Sequence, residues 1–219
     1  MAAFAAYAQR PADPTSYAAS VNANIGAAQQ AITAATQDAA GKASASVKSA
    51  FASSASFVAY DQGDPRWANH QIYTNGDTIG PDGCGPTSAA MVIATLTGLP
   101  ITPIQTGDYM TQHNGFVAGE GASTAGLEAV CQYYGLKTST LSSFTDAINV
   151  IQGGGLIISG GHGDPPGNPP YVSGGHVVVF RAVSGGNIVV GNPAGNFPNP
   201  SAGFTVPIAG MDYMIGVTK

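Results

Sequence analysis

A cysteine at position 84 stands in the run GPDGCGPTSAAMVIATLT, between Gly83 and Gly85-Pro86 and at the head of a long apolar stretch. If that stretch is a helix, the thiol sits at its N-terminus. Unpaired amides and the macrodipole there favour negative charge, and the thiolate is the attacking form of a cysteine. Gly83 and Gly85 are expected to let a substrate backbone come close. The competing reading is a structural thiol, free cysteine being among the most buried residue types. His176 moves the balance towards chemistry. It follows Gly174 and Gly175 at the start of the β-branched run HVVVFRAV, which leaves its ring uncrowded, as a catalytic imidazole requires. Asn192 closes NIVVGN just before Pro193. In a hairpin the end of one strand lies beside the start of the other, so Asn192 is placed to orient the imidazole in a Cys-His-Asn triad. Taken alone, it reads as a turn-forming Asn before proline.

These residues need a scaffold that brings a helix start against a sheet. The stretch 84–97 is apolar on most sides and reads as a buried helix stopped by Gly98 and Pro100. A second helix is expected over about 123–134, capped by Ser123 or Thr124, with Leu127, Val130, Cys131 and Tyr134 on one face. A third is expected around 143–152, begun by Ser143 or Thr145 and ended by glycines, after which Leu156, Ile157 and Ile158 start a strand. The runs 176–183 and 187–192 read as a tight hairpin, and 203–207 with 212–218 as a final strand pair. Helices first and an antiparallel sheet afterwards predict an α+β fold with the helices on one side of the sheet.

Composition narrows the function. Charged residues are 9% of 219 and the net charge is -5, so no basic stripe exists to neutralise a phosphate backbone, and nucleic acid is not an expected partner. No run of eighteen apolar residues predicts a membrane span, and the opening MAAFAAYAQRPADP lacks the layout of a signal peptide. Cys84 and Cys131 could pair in an oxidising compartment, but two thiols make no disulfide framework; Cys131 is expected to be a core thiol. Low charge with abundant Gly, Ser, Thr and Asn resembles extracellular or virion proteins.

Residues 1–56 are rich in Ala, Ser, Gln and Thr and lack the large side chains of a core. Val21, Ile25, Ala28, Ile32, Ala35 and Ala39 trace a narrow helical seam. This is either a coiled-coil-like stem that packs on a copy of itself or in a larger assembly, or a weakly helical linker. The globular domain is expected over 57–219, where large residues return at FVAYDQGDPRW.

Taken together and in order, YDQGDPRW, GPDGCGPTSAAMV, SGGHVVVFRAV and IVVGNPAG resemble the bacteriocin-processing-type cysteine peptidases over about residues 58–195. The resemblance implies a papain-like fold, with Cys84 as nucleophile, His176 as general base and later acid, and Gln62 as the side-chain donor to the oxyanion beside the Cys84 amide. Without it, Gln62 would read as a surface loop residue. Many relatives have aspartate where this chain has Asn192, and a neutral partner stabilises imidazolium less. No cofactor is implied. His162, in GGHGDPPGNPPYVSGG, matches no established metal-ligand spacing with Asp164 and His176, so no metal is expected; this loop reads as a rim of the cleft. His70 and His113 read as ordinary loop residues, and Trp67, Tyr60, Tyr133 and Tyr134 as core or cleft-wall aromatics.

Two classes of function follow. The first is a hydrolase of peptide-type amides: a bacteriocin-leader peptidase, which would normally be fused to membrane spans; a secreted protease, which would normally carry a signal or pro-segment; or a peptidoglycan-peptide hydrolase carried by a virion or cell envelope on the Ala-rich stem. The last fits the composition best. The second class is a non-enzymatic structural or binding module of a phage tail-like assembly.

Overall fold

The structure is a computed structural model that describes residues 57–73, 76–162, 175–184, 187–194, 204–206 and 211–219. Residues 1–56, with the expected helical seam, lie outside the described residues. After a short turn α1 (Ile79–Asp82), helix α2 (Cys84–Thr97) runs through the centre of the molecule, buried on every face from Gly85 to Ala94. Its stop is Gly98, whose φ of 77° is the left-handed cap that glycine adopts freely; its N–H bonds the Ala94 carbonyl. The expected boundaries of this helix match the observed ones.

Helix α3 (Pro103–Gln112) was not expected. A capping box starts it: Thr102 donates its backbone N–H to Gln105 Oε1 at 2.7 Å, and Pro103 sits in the first turn. Strands β1 (Phe116–Val117) and β2 (Gly121–Ala122) form a small hairpin. Helix α4 (Thr124–Tyr133) follows, capped by Ser123, and then strand β3 (Lys137–Leu141). Helix α5 (Phe144–Gln152) is capped by Ser143. Strands β4 (Leu156–His162), β5 (Gly175–Ser184), β6 (Asn187–Gly191), β7 (Phe204–Val206) and β8 (Met211–Thr218) complete the chain.

All strand pairs are antiparallel, and the main sheet has the order β3-β8-β4-β5-β6-β7. Two expectations need correction. The last two strands are not partners: β7 edges the sheet beside β6, whereas β8 is inserted between β3 and β4. Nor do the helices share one side. Side chains alternate along a strand, so Ile158, Val177, Val179, Ile215 and Val217 pack in the core with α2 and α4 residues. Ile157, Val178, Phe180, Ile188 and Val190 face the opposite way, against Ala147, Ile148 and Ile151 of α5. The reason is visible in LIIS and HVVVF, continuous apolar runs that only a sheet covered on both faces can bury. Each such side chain contributes roughly 1.5–3 kcal/mol on burial.

Candidate active site

The first turn of α2 faces the start of β5. Ser88, one turn after Cys84, donates its hydroxyl to the Val177 carbonyl at 3.1 Å, a buried bond between the helix and the sheet. On the same side of the helix, the Cys84 sulfur lies against the backbone amide of Val177, the residue after His176. Both cysteines are free.

His176 is buried, where the flanking glycines had suggested an exposed ring, because β5 is covered on both faces, and its Nε2 lies 2.8 Å from Asn192 Oδ1. The same Oδ1 accepts the backbone N–H of Ala194 at 2.9 Å. A backbone amide only donates, so the Asn192 atom facing it is the oxygen, and the imidazole nitrogen facing that oxygen must carry a proton. The neutral ring is then the Nε2–H tautomer, with its proton-accepting lone pair on Nδ1. The pairing of β5 with β6 carries this contact, Val179 lying opposite Gly191, and Asn192 is the next residue. Asn192 Nδ2 is buried and has no hydrogen-bond partner among the described residues.

Gln62 sits on the strap 57–62 that enters the domain. Phe57 packs on Gly191, and Val58 N–H donates to Thr95 Oγ1 at 2.9 Å. Gln62 is 8% exposed, so it is a buried residue and not a surface loop residue. Its backbone N–H donates to Pro193 O at 2.8 Å, and its side-chain Nε2 to Gly80 O at 2.7 Å. One amide hydrogen is used in that bond and a second remains on Nε2.

The electrostatics depart from expectation. Burial pushes the Cys84 thiol above its ordinary range; the amides of Val177, Gly85 and Cys84 itself pull it back down by less, and Asp82 adds a further upward push. Burial likewise pushes His176 below the ordinary imidazole range, opposed by its bond to Asn192. Desolvation is thus the largest influence on both groups, ahead of the amides at the helix N-terminus, and it favours the neutral form of each.

Gly83 and Gly85 also have a different role. A Cβ on Gly83 would come 2.5 Å from the Ile79 carbonyl oxygen and 2.6 Å from Ile79 Cα, and one on Gly85 would collide with the Cβ of Ala122. Both glycines serve the packing of α2 against α1 and the β1–β2 hairpin. Gly175 is exposed at the start of β5 and pairs with His162. The side chain of His162 and the rest of its loop, with Asp164, lie outside the described residues.

The remaining candidates also find places. His70 Nε2 lies 2.7 Å from Asp108 Oδ1, tying the loop before α1 to α3. His113 is the C-cap of α3, stacked on Tyr109 with ring centroids 4.1 Å apart. Cys131 and Trp67 are core residues, as expected for the thiol and the indole, whereas Tyr133 is 66% exposed and lies outside the core. Among the described residues, no helix is long and apolar enough to cross a membrane.

The Peptidase_C39 like family model matches residues 65–202, and the chain belongs to that family of cysteine peptidases. Among solved structures, a C39-like peptidase from Bacillus anthracis shares the fold, with a TM-score of 0.50 and 14% identity over 64% of this chain and 90% of that one. The peptidase domain of Streptococcus ComA, a bifunctional ABC transporter of a quorum-sensing pathway, gives 0.43 and 13%, covering 67% of this chain and 96% of that one. Among curated proteins none matches.

Proposed function

We propose that this chain hydrolyses peptide-type amide bonds with Cys84 as nucleophile, His176 as general base, Asn192 as the residue that orients it and Gln62 as an oxyanion donor. The observation that carries the reading is the junction of α2 and β5: a thiol against the amide of Val177, the residue next to His176, whose tautomer Asn192 and Ala194 define. Burial favours the neutral form of each group, and in this mechanism His176 Nδ1 takes the thiol proton as sulfur attacks the carbonyl carbon. The C–S bond forms, the carbonyl π electrons move to oxygen, and the second Nε2 hydrogen of Gln62 with the Cys84 amide meets that charge; each such donor is worth about 3 kcal/mol. The imidazolium then protonates the leaving nitrogen as the C–N bond breaks; water, giving its proton to His176, adds to the thioester carbonyl, the C–S bond breaks to free the carboxylic acid, and the proton returns to the Cys84 sulfur.

The substrate we propose is the peptide of peptidoglycan, reached from a virion or cell envelope through residues 1–56 acting as a stem. The Ala-rich, low-charge composition supports this setting. Purified cell walls incubated with the protein should release new amino groups, and Cys84→Ala and His176→Ala should each abolish the release. No release from walls together with hydrolysis of other peptides would move the substrate class. No hydrolysis of walls or of any other peptide would favour the alternative of a structural or binding module.

A further inference from the structure

Trp67 lies outside the triad, yet its indole reaches the segment that carries Gln62. Its Nε1–H donates to the Asp61 carbonyl at 2.7 Å, while the N–H on the other side of that same peptide, the Gln62 amide, donates to Pro193 O at 2.8 Å. The peptide plane between Asp61 and Gln62 is thus held at both ends. A second path closes on the same residue. Gln62 Nε2 bonds Gly80 O, Gly80 N–H donates to Ala68 O at 2.8 Å, and Ala68 is bonded directly to Trp67. Trp67 is itself fixed: it is 4% exposed, its backbone N–H bonds Asp64 O at 3.0 Å, and Tyr60 meets its ring edge-on at 5.4 Å.

We infer that Trp67 is a positioning residue for the oxyanion donor, registering the Gln62 side chain against the His176–Asn192 pair through the clamped Asp61–Gln62 peptide and the Gly80 carbonyl. The clamped peptide fixes where the Gln62 side chain leaves the backbone, and the Gly80 carbonyl fixes its far end. Pro193 supplies one partner and adjoins Asn192, so the clamp sets the donor in register with the base. The indole N–H is the other. The inference rests on the catalytic reading of Cys84 and Gln62.

Two reagents separate these roles. Acylation of Cys84 by p-nitrophenyl acetate forms a C–S bond, builds an oxyanion and expels nitrophenolate, with the thiol proton passing to His176. Alkylation by iodoacetamide displaces iodide from a saturated carbon and builds no oxyanion. Trp67→Phe keeps a ring against Tyr60 and removes the N–H; replacing Trp67 with β-(3-benzothienyl)alanine keeps the bicyclic shape as well. Both changes, like Gln62→Ala, are expected to slow acylation about tenfold or more while alkylation stays within about twofold. Acylation slowed by Gln62→Ala but not by either change at Trp67 would overturn the positioning role alone. Parallel loss of acylation and alkylation would overturn it in favour of a general packing role, and the benzothienyl variant makes that outcome decisive by preserving the packing. Wild-type protein that p-nitrophenyl acetate does not acylate at Cys84, or acylation indifferent to Gln62→Ala, would overturn the underlying reading as well.

Discussion

The nucleophile and its base are held in place by different forces. Cys84 belongs to a helix packed on every face, with glycines on either side that leave no room for a methyl group. His176 belongs to a hairpin whose relevant contacts are hydrogen bonds: Nε2 to Asn192 Oδ1, and Ala194 N–H to the same oxygen. A packed region is sensitive to volume and tolerant of polarity at its margins. A hydrogen-bonded one accepts isosteres and fails when a donor or acceptor is lost.

The largest expected effect breaks the packed side. In Gly83→Ala the added methyl meets both the carbonyl oxygen and the Cα of Ile79, backbone atoms that cannot rotate away. A loss of about 3 kcal/mol is expected from such overpacking, read as a fall in the denaturation midpoint. An unchanged midpoint would mean that α1 is free to move, and that the nucleophile's helix is less constrained than its surroundings imply.

The hydrogen-bonded side should respond to chemistry at nearly constant volume. Asn192→Ala removes the acceptor shared by His176 and Ala194, and about a hundredfold loss in kcat is expected with the fold retained. Asn192→Asp keeps the acceptor and adds a charge. Burial already pushes His176 below the ordinary imidazole range, so the native acid limb of kcat/KM should lie below about pH 6.5. A carboxylate stabilises the imidazolium and raises its pKa, so the base form is lost at higher pH and the acid limb moves up. A limb that stays in place in Asn192→Asp would show that the Asn192 contact does not govern the base.

Those two kinds of constraint also decided what the sequence made legible. The places of Cys84, His176 and Asn192 at element ends were readable because each stands beside glycine or proline at the edge of a strongly apolar run, and such edges fix where helices and strands begin. Helix α3 was harder: QTGDYMTQ is polar and carries Gly107 in mid-helix, whose missing side chain is required because a Cβ there would come 2.7 Å from Ile72 Cγ2. Its one local signal was the Thr102–Gln105 capping box. Strand β3, KTSTL, is an edge strand with no buried residue and so no apolar alternation to detect. The placement of β8 between β3 and β4 is a long-range pairing that no local pattern encodes. Gln62 reads as a loop residue because its burial comes from Gly80 and Pro193, both far along the chain.

The packed side holds a second thiol that tests burial without touching the site. Cys131 is pushed from 9.0 up to about 12, chiefly by desolvation, with Glu128 adding to it. Its folded pKa lies above its unfolded one, so between pH about 9 and 12 the unfolded chain has released this proton while the native protein keeps it, and stability falls as pH rises. Cys84 is shifted in the same direction and contributes with the same sign. Cys131→Ala should flatten the alkaline decline by up to about 1.4 kcal/mol per pH unit without altering the slope near neutrality. Denaturant titrations from pH 7 to 11 measure it, and an unflattened slope would mean that the thiol ionises in the native state.

The smallest effect concerns the bond that joins the two regions. Ser88 Oγ donates to the Val177 carbonyl at 3.1 Å, the same residue whose amide faces the Cys84 sulfur. Ser88→Ala leaves that buried carbonyl without the hydroxyl, a cost of about 1 kcal/mol. If α2 and β5 are held together mainly by packing, stability should fall by that amount while the alkylation rate of Cys84 stays close to native. If this bond sets their separation, the Val177 amide should drift from the sulfur. The thiolate would lose a donor, the thiol pKa would rise further, and alkylation at neutral pH would slow by more than the stability change accounts for. Since Ile158, Val177 and Val179 already join the helix to the sheet through the core, the first outcome is the expected one.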